Sequence, residues 1–322
     1  MPPAPLISIL MPVKNAGKYL QETLDSIAGQ TWKHWELIAI DDGSDDDSRE
    51  ILSAFQSCNP RVRWFQNSGS GIIPALNLAW QKSIGSFITR MDADDLMPPE
   101  KLRIMLQAVE QNPGAVVTGH VQYFSGSGLV SDGYIKYAQW LNHRVDLADH
   151  WQCVFRECVI ASPNWLISRR DLQQTGAFHG LHYPEDYDLI FRWYRHKLPV
   201  VGIPAITHLW REHPDRTSRT SHFYSQEAFF RLKAKWFLKL DYDPERPLLI
   251  LGEGRKNQLI QRNLIKHRVP FSVITKTGIG RLKQILNPQI LVAVYPPKPA
   301  REEIEKLFEK LNLEHGRHYW WW

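Results

Sequence analysis

Three groups of carboxylates in this 322-residue chain stand at spacings that could do chemistry. Asp41, Asp42, Asp45, Asp46 and Asp47 form one group, Asp92, Asp94 and Asp95 a second, and Glu185-Asp186 a third. Like charges gathered this closely repel unless a cation joins them. A hard divalent ion is the usual solution, and Mg²⁺ typically takes one or two carboxylates plus substrate phosphates. Alternate residues of an extended segment point the same way, so Asp92 and Asp94 can face one site. Asp45–Asp47 reads equally well as a solvated turn that caps the next helix, since Asp is favoured there. The Glu185-Asp186 pair offers a general base. It also reads as the N-cap and first turn of a helix over 188–196, where the helix dipole favours acids.

The elements around these residues follow from hydrophobic periodicity. Short apolar runs at 6–11, 36–40, 62–65 and 86–91 predict buried strands. They alternate with helical spacing at 18–28, 48–56, 73–83 and 100–110, and either Asp47 or Ser48 suits the N-cap of the second helix. This alternation predicts a mostly parallel sheet with flanking helices, whose carboxyl ends carry the first two acidic groups. Residues 116–124 and 164–168 read as strands. The stretch 125–149 holds few clear periods. Residues 223–240 read as a long amphipathic helix with Phe229, Trp236 and Leu240 inside and Glu227, Arg231, Lys235 and Lys239 outside. Two prolines and four charges at 241–247 mark a boundary. The sequence thus predicts domains at 1–240 and 246–322, in keeping with the size at which single cores stop growing. The second reads as a three-strand α/β unit.

The composition is 43% hydrophobic, 23% charged and 11% aromatic, which excludes a disordered, collagenous or coiled-coil chain. No apolar run approaches the roughly 20 residues of a spanning helix. The start, Met1-Pro2-Pro3-Ala4-Pro5, lacks a secretory pattern, and three cysteines are too few for a disulfide framework. A reduced, cytoplasmic setting is the expectation. The net charge of +5 lies entirely in residues 241–322, with 14 basic and 9 acidic side chains. No nucleic-acid motif accompanies it.

Ile9-Leu10-Met11-Pro12-Val13-Lys14-Asn15, Ser26-Ile27, Gln30-Thr31, Asp41-Asp42-Gly43-Ser44-Asp45-Asp46, Arg90-Met91-Asp92-Ala93-Asp94-Asp95 and Glu185-Asp186-Tyr187-Asp188-Leu189 follow one another in a fixed order. The set resembles the nucleotide-sugar glycosyltransferases of family 2, with the GT-A fold, over roughly residues 6–220. The resemblance implies an inverting hexosyltransferase of bacterial surface polysaccharide synthesis. A nucleoside diphosphate sugar, a UDP-sugar foremost, would be the donor and a glycan or glycolipid hydroxyl the acceptor. Asp42 would accept from the uracil N–H, with Pro12 and Asn15 beside it and the Gly71 loop under the nucleotide. Asp94 would coordinate Mg²⁺ or Mn²⁺ on the diphosphate, and Asp92 would hold the ribose or a metal-bound water. Asp186, next to Glu185, would be the base. The segment 210–218 resembles a late family loop closing over the donor, which gives His213 to metal or phosphate and Arg211 or Arg216 to phosphate. Relatives often carry an Arg near the position of Leu76. Arg90 is a substitute there, or a structural ion pair.

Residues 248–257 begin like a dinucleotide-binding strand, turn and helix. Asn257 replaces the third glycine of the fingerprint, and Thr275-Lys276 stands where an acid is expected. The segment resembles small Rossmann-like tails that follow some bacterial glycosyltransferases. Dimerisation, acceptor docking and peripheral membrane contact are its open roles. The basic helix 223–240 and the Trp320-Trp321-Trp322 end raise the same membrane question, with burial as the alternative. Two competing functions stand beside the transferase: a dinucleotide enzyme using this tail, and a non-catalytic sugar-nucleotide binder.

Overall fold

The computed structural model describes residues 4–322 apart from 127, 129, 217, 218 and 220. The expectations for residues 1–3 and for the end of the 210–218 loop lie outside the described residues. Contacts divide the chain into two compact units. One comprises Met1–His150, Val159–Leu181 and Glu185–Arg219, the other Trp151–Cys158, His182–Pro184 and Thr220–Trp322.

In chain order the first unit is β1 (Ile7–Val13), α1 (Gly17–Ala28), β2 (Trp35–Asp41), α2 (Ser48–Cys58), β3 (Val62–Gln66), α3 (Ile72–Lys82), β4 (Phe87–Arg90), α4 (Lys101–Gln111), β5 (Val116–Phe124), α5 (Asp132–Leu147), β6 (Trp165–Ser168), α6 (Arg169–Gln174), α7 (Glu185–Arg195) and β7 (Val200–Arg211). The seven strands form one sheet in the order β3-β2-β1-β4-β6-β5-β7. The first four are mutually parallel, while β6 runs antiparallel to both β4 and β5. This is the mixed, mostly parallel α/β architecture expected. β1 and β2 are covered on both faces, which explains their near-continuous apolar runs. Their register sets Val13 beside Asp41, so the loops after both strands leave at the same level. The core under them joins Ile9, Met11, Leu24, Leu37, Met91, Met105 and Leu166.

Two long elements differ from the sequence reading. Residues 125–149 contain the 16-residue α5. Gly133, Asn142 and His143 break its apolar stripe, and its buried residues are only Ala138, Leu141, Arg144 and Val145. β7 was not foreseen either. It is an edge strand interrupted by Pro204 and paired to β5 across a register shift, so it shows no clean alternation. The helix expected over 188–196 begins three residues earlier, at Glu185.

The second unit contains α8 (Gln226–Leu240), β8 (Leu248–Leu251), α9 (Arg255–Lys266), β9 (Ser272–Ile274), a 3₁₀ stretch over Lys276–Gln284, β10 (Gln289–Val292), α10 (Lys298–Lys310) and β11 (Tyr319–Trp321). Its sheet has four parallel strands in the order β11-β10-β8-β9, one more than the sequence suggested. The extra strand is the tryptophan-rich end itself. Trp320, Trp321 and Trp322 are buried, and Trp322 stacks on Phe155 at 6.0 Å and meets Phe237 edge-on at 5.9 Å. These rings fill a core, which corrects the thought of a membrane-facing aromatic end. The contacts group α8 with this unit, whereas the sequence reading placed it at the end of the first domain. Its inner face is Phe230, Lys233, Ala234, Trp236 and Phe237, a frame shifted by about one residue from the one expected. Among the described residues no helix is long and apolar enough to cross a membrane.

Candidate active site

The loops after β1 and β2 lock together first. Asn15 takes a left-handed conformation (φ 49°), donates its N–H to Ser44 Oγ at 3.0 Å and accepts from the Asp45 N–H at 2.9 Å. Pro12 lies in β1 in register with Ile40. Asp41 is buried against the Arg49 guanidinium at 2.7 Å and supports the turn from below. Asp46 accepts from the Gly17 and Ser48 N–H groups at 2.8 and 3.1 Å, so it caps α1 and α2, the role foreseen for Asp47 or Ser48. Asp42 points elsewhere. Its carboxylate accepts from Asn67 Nδ2 at 2.6 Å and from the Gly71 N–H at 2.9 Å, with Lys14 at 3.7 Å. Gly71 (φ 94°) opens α3, and its left-handed backbone turns that N–H onto Asp42. The structure therefore brings Pro12, Asn15, Asp42 and Gly71 to one place.

Side chains of α1 hold the second acidic turn. Thr23 Oγ1 donates to the carbonyls of Ala93 and Asp95 at 3.0 and 2.8 Å, and Gln30 donates to that of Pro98 at 2.8 Å while accepting from the Leu102 N–H. β7 clamps the turn from the other side. The Arg211 N–H donates to Asp95 Oδ1 at 2.8 Å, and His208 Nε2 meets Asp95 Oδ2 at 2.8 Å, both fully enclosed. Burial and the charge of Asp94 hold the Asp95 carboxyl well above the usual range, and burial holds His208 well below its own. Arg211 is buried too, contrary to the phosphate-facing side chain expected. It donates to the Asp94 carbonyl at 2.7 Å and to Glu22 at 2.6 Å, with its guanidinium over the rings of Tyr19 and Phe124. Arg216 is likewise turned inward, onto Glu212 and the Trp210 ring.

Asp94 itself stays partly open, with a quarter of its side chain exposed and Oδ2 2.8 Å from His213 Nε2. The other ring nitrogen of His213 is buried without a hydrogen-bond partner, and Tyr19 packs at 4.7 Å from the ring. Among the described residues no three His, Cys, Asp or Glu side chains gather as a ready metal cage. What stands there is a two-donor corner, Asp94 and His213, with Asp92 two residues away. That suits an ion whose remaining ligands come from a phosphorylated substrate.

Arg90 links this corner to the third acidic group. It sits at the end of β4, 6% exposed, and its Nε donates to Asp92 at 2.9 Å. Its Nη1 donates to Glu185 at 3.0 Å. Glu185 is buried at the start of α7, and Asp186 follows it. Asp186 lines a small cavity with Leu76, Arg90, Trp165, Phe178 and Leu189. Burial against these largely apolar walls, and the neighbouring Glu185, push its carboxyl up to about 7, with Arg90 pulling the other way. Burial also raises Asp92, which Arg90 opposes. Removing one partner of a buried pair leaves the other charge uncompensated. Arg90→Met is therefore expected to destabilise the protein by about 3–5 kcal/mol, and a second change, Glu185→Gln, to recover much of it. Urea unfolding of the two variants checks this.

Sequence reasoning missed Glu22, Tyr19 and His208. Tyr19 read as one of the apolar residues of α1, and nothing local marks Glu22 or His208 as partners of residues 189 and 113 positions away.

A strand-turn nucleotide corner, an Asp-x-Asp turn and a base-like carboxylate on one parallel sheet define a GT-A type protein. The profile of glycosyl transferase family 2 matches residues 8–175, and the chain belongs to that family. The chain is 36% identical over 123 residues to the glycosyltransferase GlyG of Streptococcus pneumoniae serotype 4, covering 38% of this chain and 41% of GlyG. It is 33% identical over 104 residues to the putative teichuronic acid biosynthesis glycosyltransferase TuaG of Bacillus subtilis, covering 32% and 41%. The matches thus span less than half the length of these relatives. Among solved structures, S. aureus TarS 1-349 in complex with UDP-GlcNAc superposes with a TM-score of 0.57 at 16% identity, over 88% of this chain and 77% of TarS, a likeness of fold.

Proposed function

We propose that the protein is an inverting, metal-dependent glycosyltransferase. It moves a hexose from a UDP-sugar to a hydroxyl of a glycan or glycolipid in the synthesis of a bacterial surface polysaccharide. The observation that carries this reading is the Arg90 bridge. It ties the Asp-x-Asp turn to the helix start that bears Asp186, as a transfer site needs and a simple binder does not. The complex of TarS with UDP-GlcNAc and the TuaG likeness support the donor class and the pathway class.

In this reading the uracil is held in the corner of Pro12, Asn15, Asp42 and Gly71. Asp42 already binds N–H groups with both oxygens, which is the chemistry an imide N–H requires. Asp94 and His213, with Asp92 behind them, would hold Mg²⁺ or Mn²⁺, which supplies charge neutralisation for the departing diphosphate. Arg211 keeps the Asp94 backbone in place and touches no phosphate. Asp186 takes the proton of the acceptor hydroxyl as that oxygen bonds to the anomeric carbon. The bond from carbon to phosphate oxygen breaks on the opposite face, its electron pair leaves with UDP, and the anomeric configuration inverts. A carboxyl near neutrality is well matched to that proton transfer.

The first test is nucleotide release from UDP-, GDP- and dTDP-sugars, one divalent metal at a time. UDP release that depends on metal and acceptor is the expected result. Release from none of the three with any acceptor pool would leave only a binder.

A further inference from the structure

The second unit concentrates positive charge, with 19 Lys and Arg against 11 Asp and Glu. Four of these cations meet beyond the carboxyl ends of β8, β10 and β11. Tyr295, three residues past β10, is their centre. The Arg156 guanidinium lies 3.4 Å over its ring and donates to its hydroxyl at 2.5 Å. Arg301, near the start of α10, donates to the same hydroxyl. Lys233 of α8 is 3% exposed and donates to the Arg156 carbonyl at 2.7 Å. Lys256, at the second position of α9, donates to the Trp322 carbonyl at 3.2 Å.

The acids nearby do not match them. Arg301 has Glu305 at 3.7 Å. Glu157 acts on Lys233 and Lys256 only through space, and its Oε1 accepts from the Cys158 N–H. Glu253 is exposed in the turn before α9. Cations taken out of water need a counter-charge. Burial accordingly lowers Lys233 to about 8 and also lowers Lys256.

The location carries independent meaning. β9 and β10 flank β8 on opposite sides, so the chain reverses its winding there. Open parallel sheets bind ligands beyond the carboxyl ends of their strands, at such a switch point. Gly252 (φ 121°) and Gly254 (φ 88°) turn the chain into α9, whose first turn holds no acid and no side-chain cap.

We propose that this end of the second unit binds a phosphate-bearing ligand, held by Arg156, Lys256 and Arg301 with Lys233 behind them. The two guanidiniums on the Tyr295 hydroxyl occupy a position where phosphate oxygens can take over as acceptors. The group can belong to a soluble phosphate compound or to a lipid headgroup.

The test uses the full chain in EDTA. Inorganic phosphate is titrated by calorimetry, with thermal unfolding as a second readout. The expected result is binding at about 1 mM or tighter and a raised Tm, with each of Lys256→Ala and Arg301→Ala weakening it about tenfold. Asp94→Ala, in the other unit, should bind phosphate like the wild type. Sedimentation with phosphatidylglycerol vesicles, against phosphatidylcholine ones, gives the second arm. Association that Lys256→Ala and Arg301→Ala weaken assigns the phosphate to a headgroup, and phosphate binding without it assigns a soluble compound. Neither binding, or binding that both variants leave unchanged, would overturn the proposal.

Discussion

Asp186→Asn is expected to lower kcat by about 10²–10⁴-fold with donor affinity within a factor of two or so of the wild type. Asn keeps the shape of the side chain and accepts no proton. The change sits at the acceptor end of the site, away from the nucleotide corner at Asp42. The wild-type enzyme should also show kcat rising with pH through about 7, because the base must be ionised and its carboxyl is pushed up to about 7. Stability should run the other way. The folded pKa lies above the ordinary carboxylate value of 3.8. The native state therefore holds a proton that the unfolded chain has released between about pH 4 and pH 7. That stabilisation is present at low pH and is lost as pH rises through about 7. Asp186→Asn should consequently unfold at the same or a higher temperature than the wild type at pH 8 while being nearly inactive. Transfer kinetics and thermal unfolding over pH 5–9 check both halves. A wild-type rate in the variant would remove Asp186 as the base.

Asp94→Ala should be the most damaging single change, with a loss of about 10³-fold or more. The ion it would hold supplies several kcal/mol of charge stabilisation to the departing diphosphate. The companion result is non-additivity. EDTA should reduce the wild type to the level of Asp94→Ala and lower the variant no further, since both remove the same ion. The fold should survive, because Asp94 is partly exposed and its turn is held through Arg211, Thr23 and Asp95 instead. UDP-sugar transfer with Mg²⁺ or Mn²⁺ restored after chelation measures this. Full transfer by the variant in EDTA would sink the metal-dependent mechanism.

The strands and the acidic turns were legible because each is local. A buried parallel strand is a short apolar run, and the residues that leave its end are next in sequence. The Asp42 and Asp94 turns, the β8–turn–α9 unit and the helix bearing Asp186 all show themselves this way. The bonds that make a site of them are not local. Arg90 reaches Glu185 across 95 positions, and Asp95 finds His208 across 113. A charge near an acidic motif reads as a ligand contact, yet Arg211 is buried among Tyr19, Glu22 and the Asp94 carbonyl. α5 and β7 escaped notice because polar breaks and an edge position weaken their periods. The tryptophan end misled because aromatic residues suit a membrane interface and a protein core alike. Only the pairing of β11 with β10 decides between them.

The measurement that bears most directly on the whole account is the anomeric configuration of the transferred sugar. It is read by proton NMR on product made from an α-linked UDP-sugar. Direct attack by an acceptor hydroxyl deprotonated at Asp186, opposite the departing diphosphate, predicts a β-linked product. An α-linked product would contradict it.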